Sequence, residues 1–290
     1  MDPQLEALLT TWDFRLEVLI PQLILAAVYL TGWIRLRRKG AKIANNWRLA
    51  SYISGHVFFS IALYSGIDFY QSFLFFIHMI QHLLLVMAVP PLIFLAAPMP
   101  IGFWGLPRNA RFEAGKMFGR KSAFRKGLTQ LSSPGFIWLV FTITLWMWHD
   151  PGAYDAAIED QFIHDIEHIS FFVTGMLLWW HITGAAPRIH KSRSFGMRLV
   201  IVGLTYFQNI ILGIGLSLWG ELIYQHYARV PRLWNLDPVD DQTIGGLIMW
   251  LPGGMMYLIA IIFLVANMID ESEKKSRIRK PIDTRKILSS

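Results

Sequence analysis

Seven stretches of this chain are apolar enough, and long enough, to cross about 30 Å of hydrocarbon as helices. They run over residues 17–34, 48–67, 71–97, 133–149, 164–185, 197–219 and 243–268. In lipid a backbone must satisfy its own hydrogen bonds, so such stretches are expected to form helices that bundle together. The expected fold class is an all-α integral membrane protein: a seven-transmembrane helix bundle forming a single domain over residues 1–290, with a basic tail at 270–290. Composition agrees, with 54% hydrophobic and only 16% charged residues, where a soluble domain carries about 25% charge. Asp2, Glu6, Asp13 and Glu17 precede the first stretch, where a cleavable signal peptide would carry a basic region. No internal repeat or low-complexity segment stands out.

The net charge of +7 raises the question of nucleic acid, and the placement of the charges answers it. Residues 35–48 hold six basic side chains, 98–132 seven, 186–198 four and the tail after Asp270 another seven, so 24 of the 27 Lys and Arg fall on one side. The other side has Arg15, Arg229 and Arg232 and carries 15 of the 20 acidic residues. Basic residues mark cytoplasmic loops. The expected topology is therefore N-terminus outside and C-terminus cytoplasmic, in a multi-pass plasma (inner) membrane protein. Its basic surplus meets the lipid bilayer, and no nucleic-acid partner is expected.

Polar groups inside a span are costly and invite a reason. Of nine histidines, five fall in the outer half of three consecutive spans. At 1.5 Å rise per residue, His78 lies about 10 Å and His82 about 16 Å into span three. Their i,i+4 spacing puts both rings on one helix face. His149 closes span four at the outer surface, and His164 and His168, again i,i+4, open span five there. His181 and His190 are cytoplasmic-side, His56 is mid-span and His226 lies in the last outer loop.

The chain has no cysteine, which removes disulfides, iron–sulfur clusters and thiolate sites and leaves imidazole, thioether and carboxylate as ligands. Two His pairs and a fifth His suit an imidazole metal site formed by His78, His82, His149, His164 and His168. Asp150, Asp165, Glu167 and Asp241 stand at the same level as possible partners for ring N–H groups. Met79, Met147 and Met249 are at similar depth and would suit Cu(I). Zinc proteases place Glu directly after the first His of H-E-x-x-H; here that position is Asp165, so proteolysis is a weak reading.

Milder features read structurally. Pro90-Pro91 is expected to kink span three, and Pro98 and Pro100 to end it. Trp146, Trp148, Trp179, Trp180, Trp219 and Trp250 read as interfacial belts. Gln208 and Asn209 are expected to hydrogen-bond between helices, and Gly213, Gly215, Gly245 and Gly246 to permit close helix approach. No nucleotide-binding or nucleophile-elbow motif occurs.

Three blocks carry a family resemblance: His78-Met79-Ile80-Gln81-His82-Leu83-Leu84 leading to Pro90-Pro91-Leu92; Leu145-Trp146-Met147-Trp148-His149-Asp150-Pro151 with His164 through His168 and Trp179-Trp180; and Asp241-Gln242 with Gly245-Gly246 running into Met249-Trp250. Together, from about residue 70 to 267, they resemble the multispan CtaG family of cytochrome c oxidase assembly factors. Asp150 departs from the small or apolar residue expected before Pro151. The resemblance implies a non-enzymatic plasma-membrane protein that helps build a haem–copper oxidase. It implies copper as the metal, with oxidase subunits and a separate copper donor protein as expected partners. Two alternatives stand beside it: a metal-free scaffold for oxidase subunits, and a haem-binding membrane protein using His56, His82 and His149 on separate helices. Zinc remains open as the ion.

Overall fold

The computed structural model describes residues 3–119, 121–187 and 195–279; among them the chain is helical, with no strand beyond an isolated bridge between Trp12 and Ser65. Expected features at His190 and over the tail segment 280–290 lie outside the described residues. Four stretches are long and apolar enough to cross a membrane: Leu16–Arg38, Phe75–Leu95, Phe195–Leu218 and Pro238–Lys274. A fifth forms if Ala123–Leu131 and Pro134–Trp148, bent by 59° from each other, count as one. The helices Asn46–Tyr64 and Gln161–Thr183 have the length, at 19 and 23 residues, but not the apolarity. Arg48 and His56 in the first, and His164, Asp165, Glu167 and His168 in the second, lower it.

The bundle is patterned inside out. Leu23, Ile24, Leu25, Ile262 and Phe263 are exposed, while His78, Gln81, His82, Glu167, His168, Thr205, Gln208, Asn209, Asp241 and Gln242 are buried. A water-soluble fold buries the first set and exposes the second. With lipid outside, the same sequence gains by turning aliphatic side chains outward and gathering polar ones where they meet one another. The Gln161–Thr183 helix shows it most clearly: His164, Glu167, His168, Phe171, Thr174, Gly175 and Leu178 are buried on one stripe, with Phe162, Ile166, Ile169 and Val173 on the exposed face.

The third expected span is continuous but not regular. Phe75–Leu83 passes through a π-helical turn, Leu84–Ala88, into Val89–Leu95. Pro90 lacks the N–H that an α register would direct at the Val86 carbonyl. Trp179 Nε1 donates to that carbonyl instead, at 2.8 Å, so a buried side chain replaces the missing backbone donor. Trp179 and Trp148 are thus core residues, not belt residues; Trp148 Nε1 donates to Ser170 Oγ at 2.7 Å. Trp146 and Trp219 are exposed. Pro98 begins a helix, Pro98–Gly105, after a reversal at left-handed Ala97. Proline suits that first-turn position because its N–H would be unsatisfied there anyway. This apolar helix packs on Leu16–Arg38, where a side chain on Gly32 or Gly105 would strike the facing backbone. Residues 98–132 are therefore not a plain loop.

Phe195–Leu218 and Pro238–Trp250 approach closely through Gly213 and Gly246, where a Cβ on Gly246 would collide with Ser217 and the Gly213 carbonyl. Gly215 faces open space. Asn209 Nδ2 donates to the Met249 carbonyl at 2.8 Å, the expected interhelical bond. The side-chain amide of Gln208 is buried without a partner.

Segments 12–15, 64–76, 149–165 and 219–241 meet at one end of the bundle. Asp13 N donates to Tyr64 O at 2.8 Å, Arg15 pairs with Asp165 at 2.6 Å, and His226 Nε2 bonds Ser72 O at 2.9 Å. The described basic segments 35–48 and 106–132 join the opposite end, where Arg35 donates to carbonyls of Trp104 and Leu106 and His181 Nε2 bonds Ser132 O. At the first end Asp241 accepts from the backbone N–H groups of Phe75 and Phe76, at 2.8 and 2.9 Å. It caps the helix carrying His78 and His82 from 165 residues away, supplying the side-chain acceptor that Leu74 at the N-cap lacks. Removing it in Asp241→Ala is expected to cost about 1–2 kcal/mol, read as a lowered unfolding midpoint in detergent, with Asp241→Asn intermediate.

Candidate metal centre

Phe75–Leu83 presents His78 and His82 one turn apart, and Gln161–Thr183 presents His164, Glu167 and His168 at i, i+3 and i+4. Packed together, the two helices bring all five side chains into one buried cluster. Ring centroids lie 4.2 Å apart for His78 and His82, 4.1 Å for His164 and His168, 5.4 Å for His78 and His164, and 5.3 Å for His82 and His168. Ligand atoms of His78, His82 and His168 fall within 4.8 Å of one another, as do those of His78, His164 and Glu167. A closed tetrahedral shell with bonds of 2.0–2.1 Å spaces its ligand atoms about 3.3 Å apart, so small side-chain rotations would complete either triad around an ion.

Glu167 is 1% exposed. Its Oε1 lies 3.3 Å from His82 Nε2 and its Oε2 3.7 Å from His78 Nε2. Both of its ion-pair contacts among the described residues are histidines, with neither Lys nor Arg beside it. A buried carboxyl group stays charged only beside a compensating positive charge and otherwise takes up a proton. Around it, His78 Nε2, both nitrogens of His82, His164 Nε2, both nitrogens of His168 and Glu167 Oε2 are buried without a hydrogen-bond partner. So many polar atoms without partners in one place are costly for a dry core, and the bare nitrogens among them fit a bound cation.

A hydrogen-bond chain fixes which nitrogen of His78 is available. The Gln71 carbonyl can only accept, so Tyr227 spends its one proton there, at 2.9 Å. Tyr154 must then donate to the Tyr227 oxygen, at 2.8 Å. That leaves the Tyr154 oxygen to accept from His78 Nδ1–H, at 2.6 Å. His78 is thus held with Nε2 bare and aimed into the cluster, the second-shell arrangement that orients metal-bound imidazoles. Both tyrosines lie outside the spans, and burial raises their pKa well above the usual phenol value.

His149 belongs to neither triad. Its Nδ1 bonds Leu145 O at 2.7 Å, and its ring lines a neighbouring cavity together with His82. Glu167, expected as an outer partner, stands among the ligand atoms themselves. The other three acidic residues take structural posts: Asp150 caps Pro151–Glu159, Asp165 pairs with Arg15, and Asp241 caps Phe75–Leu83. Met79 and Met249 line the cavity beside His149, whereas Met147 is 46% exposed. His56 packs against Tyr52 with ring centroids 4.5 Å apart and the rings tilted by 58°, and is no part of the cluster.

The family model for cytochrome c oxidase caa3 assembly factors (CtaG) matches residues 27–271. The chain belongs to this family. The matched region contains every residue of the cluster. The chain is also similar to uncharacterized proteins of Mycobacterium leprae, at 25% identity, and of Mycobacterium bovis and Mycobacterium tuberculosis, each at 26%. Each match covers 91% of this chain, which spans about 40% of the length of those relatives. No solved structure matches it.

Sequence spacing found the two helical pairs because i,i+4 is a one-helix property. It missed Tyr154 and Tyr227, 73 residues apart and on separate short segments, whose roles depend on packing. Tyr154→Phe is expected to weaken metal binding about 10- to 100-fold while the protein stays folded. Competition titration of the detergent-purified protein measures this; unchanged affinity would refute the orienting role.

Proposed function

We propose that this CtaG-family protein binds copper through His78, His82, His164, His168 and Glu167 and helps deliver it to a haem–copper cytochrome c oxidase during assembly. The reading places seven spans across the plasma membrane, with Asn46–Tyr64 and Gln161–Thr183 stabilised by their neighbours and the acidic end outward. Support for that orientation is the gathering of the basic segments at the other end of the bundle. Copper is cargo in this scheme, and no reaction is catalysed.

The observation that carries the reading is the buried set of four imidazoles and one carboxylate whose ligand atoms lack partners. Imidazole suits copper and zinc, and one carboxylate offsets part of the ion's charge. The two triads share His78. An ion can therefore pass from one triad to the other by exchanging two ligands while keeping the third, the kind of loosely closed shell that a carrier needs. The sharing partners would be an outside copper donor and an oxidase subunit in the same bilayer. Haem fits less well: the rings crowd within about 6 Å of one another, and the adjoining cavity of ≈ 50 Å³ is far too small for a porphyrin.

Copper per protein, measured by elemental analysis after purification under reducing conditions, is expected to fall well below the wild-type value in His78→Ala/His168→Ala. Oxidase activity in membranes carrying that variant is expected to fall with it. Equal copper in variant and wild type removes these residues as ligands. Intact oxidase activity with the variant, but none without the protein, would instead favour a metal-free scaffold.

A further inference from the structure

One helical turn deeper than the His cluster, between Phe75–Leu95, Pro134–Trp148, Phe195–Leu218 and the last two helices, lies a cavity of ≈ 50 Å³. A water needs roughly 10–15 Å³ of such space, so the cavity has room for an ion. Met79, Met87 and Met249 line it with His82 and His149; Leu83, Val86, Phe141, Leu145 and Phe171 supply apolar wall. No carboxylate is among its lining residues.

His149 is preset as a ligand there. The Leu145 carbonyl accepts, so Nδ1 carries the proton and donates at 2.7 Å. Nε2 is left as a bare lone pair, buried and without a partner. The His149 ring is 9% exposed, and Tyr224 O–H donates to its backbone carbonyl at 3.2 Å, holding the turn that carries it. His82 is the one ring that both lines this cavity and belongs to the His78–His82–His168 triad, and neither of its nitrogens has a hydrogen-bond partner.

We propose that this methionine–histidine cavity is a second metal site, selective for Cu(I), in which His149, His82 and the thioethers of Met79, Met87 and Met249 supply the ligands. The proposal rests on the reading of the protein as a copper carrier. Thioether and imidazole without carboxylate favour a soft monovalent ion, and the dry wall disfavours hydrated divalent ones. The imidazole–carboxylate cluster has the opposite preference, because Glu167 rewards higher charge. The two sites therefore form a sequence, an outer station of mixed specificity and an inner one restricted to Cu(I), joined by His82, which serves one ion at a time; with both sites filled, the outer ion rests on His78, His164 and Glu167. An ion moving inward exchanges nitrogen donors for sulfur donors without leaving protein ligands, and the valence filter sits on the inner side.

The test loads the full chain in detergent with Cu(I) under anaerobic conditions, against a competing Cu(I) chelator, and records bound equivalents and the copper X-ray absorption fine structure. Wild type is expected to bind two equivalents and to show sulfur in the copper shell. Met79→Leu/Met87→Leu/Met249→Leu, which keeps the apolar volume, is expected to bind one equivalent with the sulfur signal gone and the remaining affinity within twofold of wild type. His149→Ala is expected to lose the same equivalent, and it carries the test should the triple variant misfold. One equivalent in wild type, held by nitrogen and oxygen alone, overturns the inner site and leaves the outer one standing. Absence of Cu(I) binding by wild type overturns both.

Discussion

A carboxylate buried among four imidazoles, inside a bundle whose outer surface is aliphatic, sets the terms for the rest of this molecule. Glu167 cannot reach water and has no Lys or Arg to meet it. Leaving it charged and alone would cost several kcal/mol. The surrounding structure holds His78, His82, His164 and His168 around it, close enough to share a cation or a proton with it. Many otherwise unrelated features serve that placement.

Two helices carry the cluster, one fixed at its end by a side chain from elsewhere and the other by its own N-cap residue. Asp241 caps the first of them from the far end of the chain, and Asp160 caps the second by accepting from Phe162 and Ile163. Arg15 ties the start of the second helix to the N-terminal segment through Asp165. Below the cluster the π turn and Pro90 would leave a carbonyl bare, and Trp179 from the second helix fills that need. The irregular backbone and the paired helices thus stabilise each other. Irregularity of this kind is tolerated in a membrane bundle where a neighbour completes the hydrogen bonds, and π turns recur at functional sites.

Carrying an ion asks for a different arrangement from holding one permanently. A structural metal site is closed and saturated, whereas this cluster offers more nitrogen atoms than one ion needs, in two triads that overlap at His78. The tyrosine chain from Gln71 through Tyr227 and Tyr154 keeps the shared ring in one tautomer. A fixed shared ligand with replaceable partners on either side suits an ion that arrives from one direction and leaves in another. Family membership among caa3 oxidase assembly factors is in keeping with the proposed copper cargo.

Much of this was present in the sequence because it depends only on local repeats. Apolar length marked four of the expected spans, or five with the bent pair, the basic segments gathered at one end, and i,i+4 spacing paired His78 with His82 and His164 with His168. Tertiary packing decided the rest. It moved Glu167 from a supporting position to a place among the ligand atoms, set His149 apart in a methionine-lined cavity, and turned Asp150, Asp165 and Asp241 to capping and pairing. It also made Trp148 and Trp179 core residues and Pro98 a helix start. The physical reason is the reach of each interaction. A helix face is fixed by rotation of 100° per residue and can be counted along one segment. Which donor meets which acceptor across helices depends on where separate segments cross, and no spacing within any one of them records that.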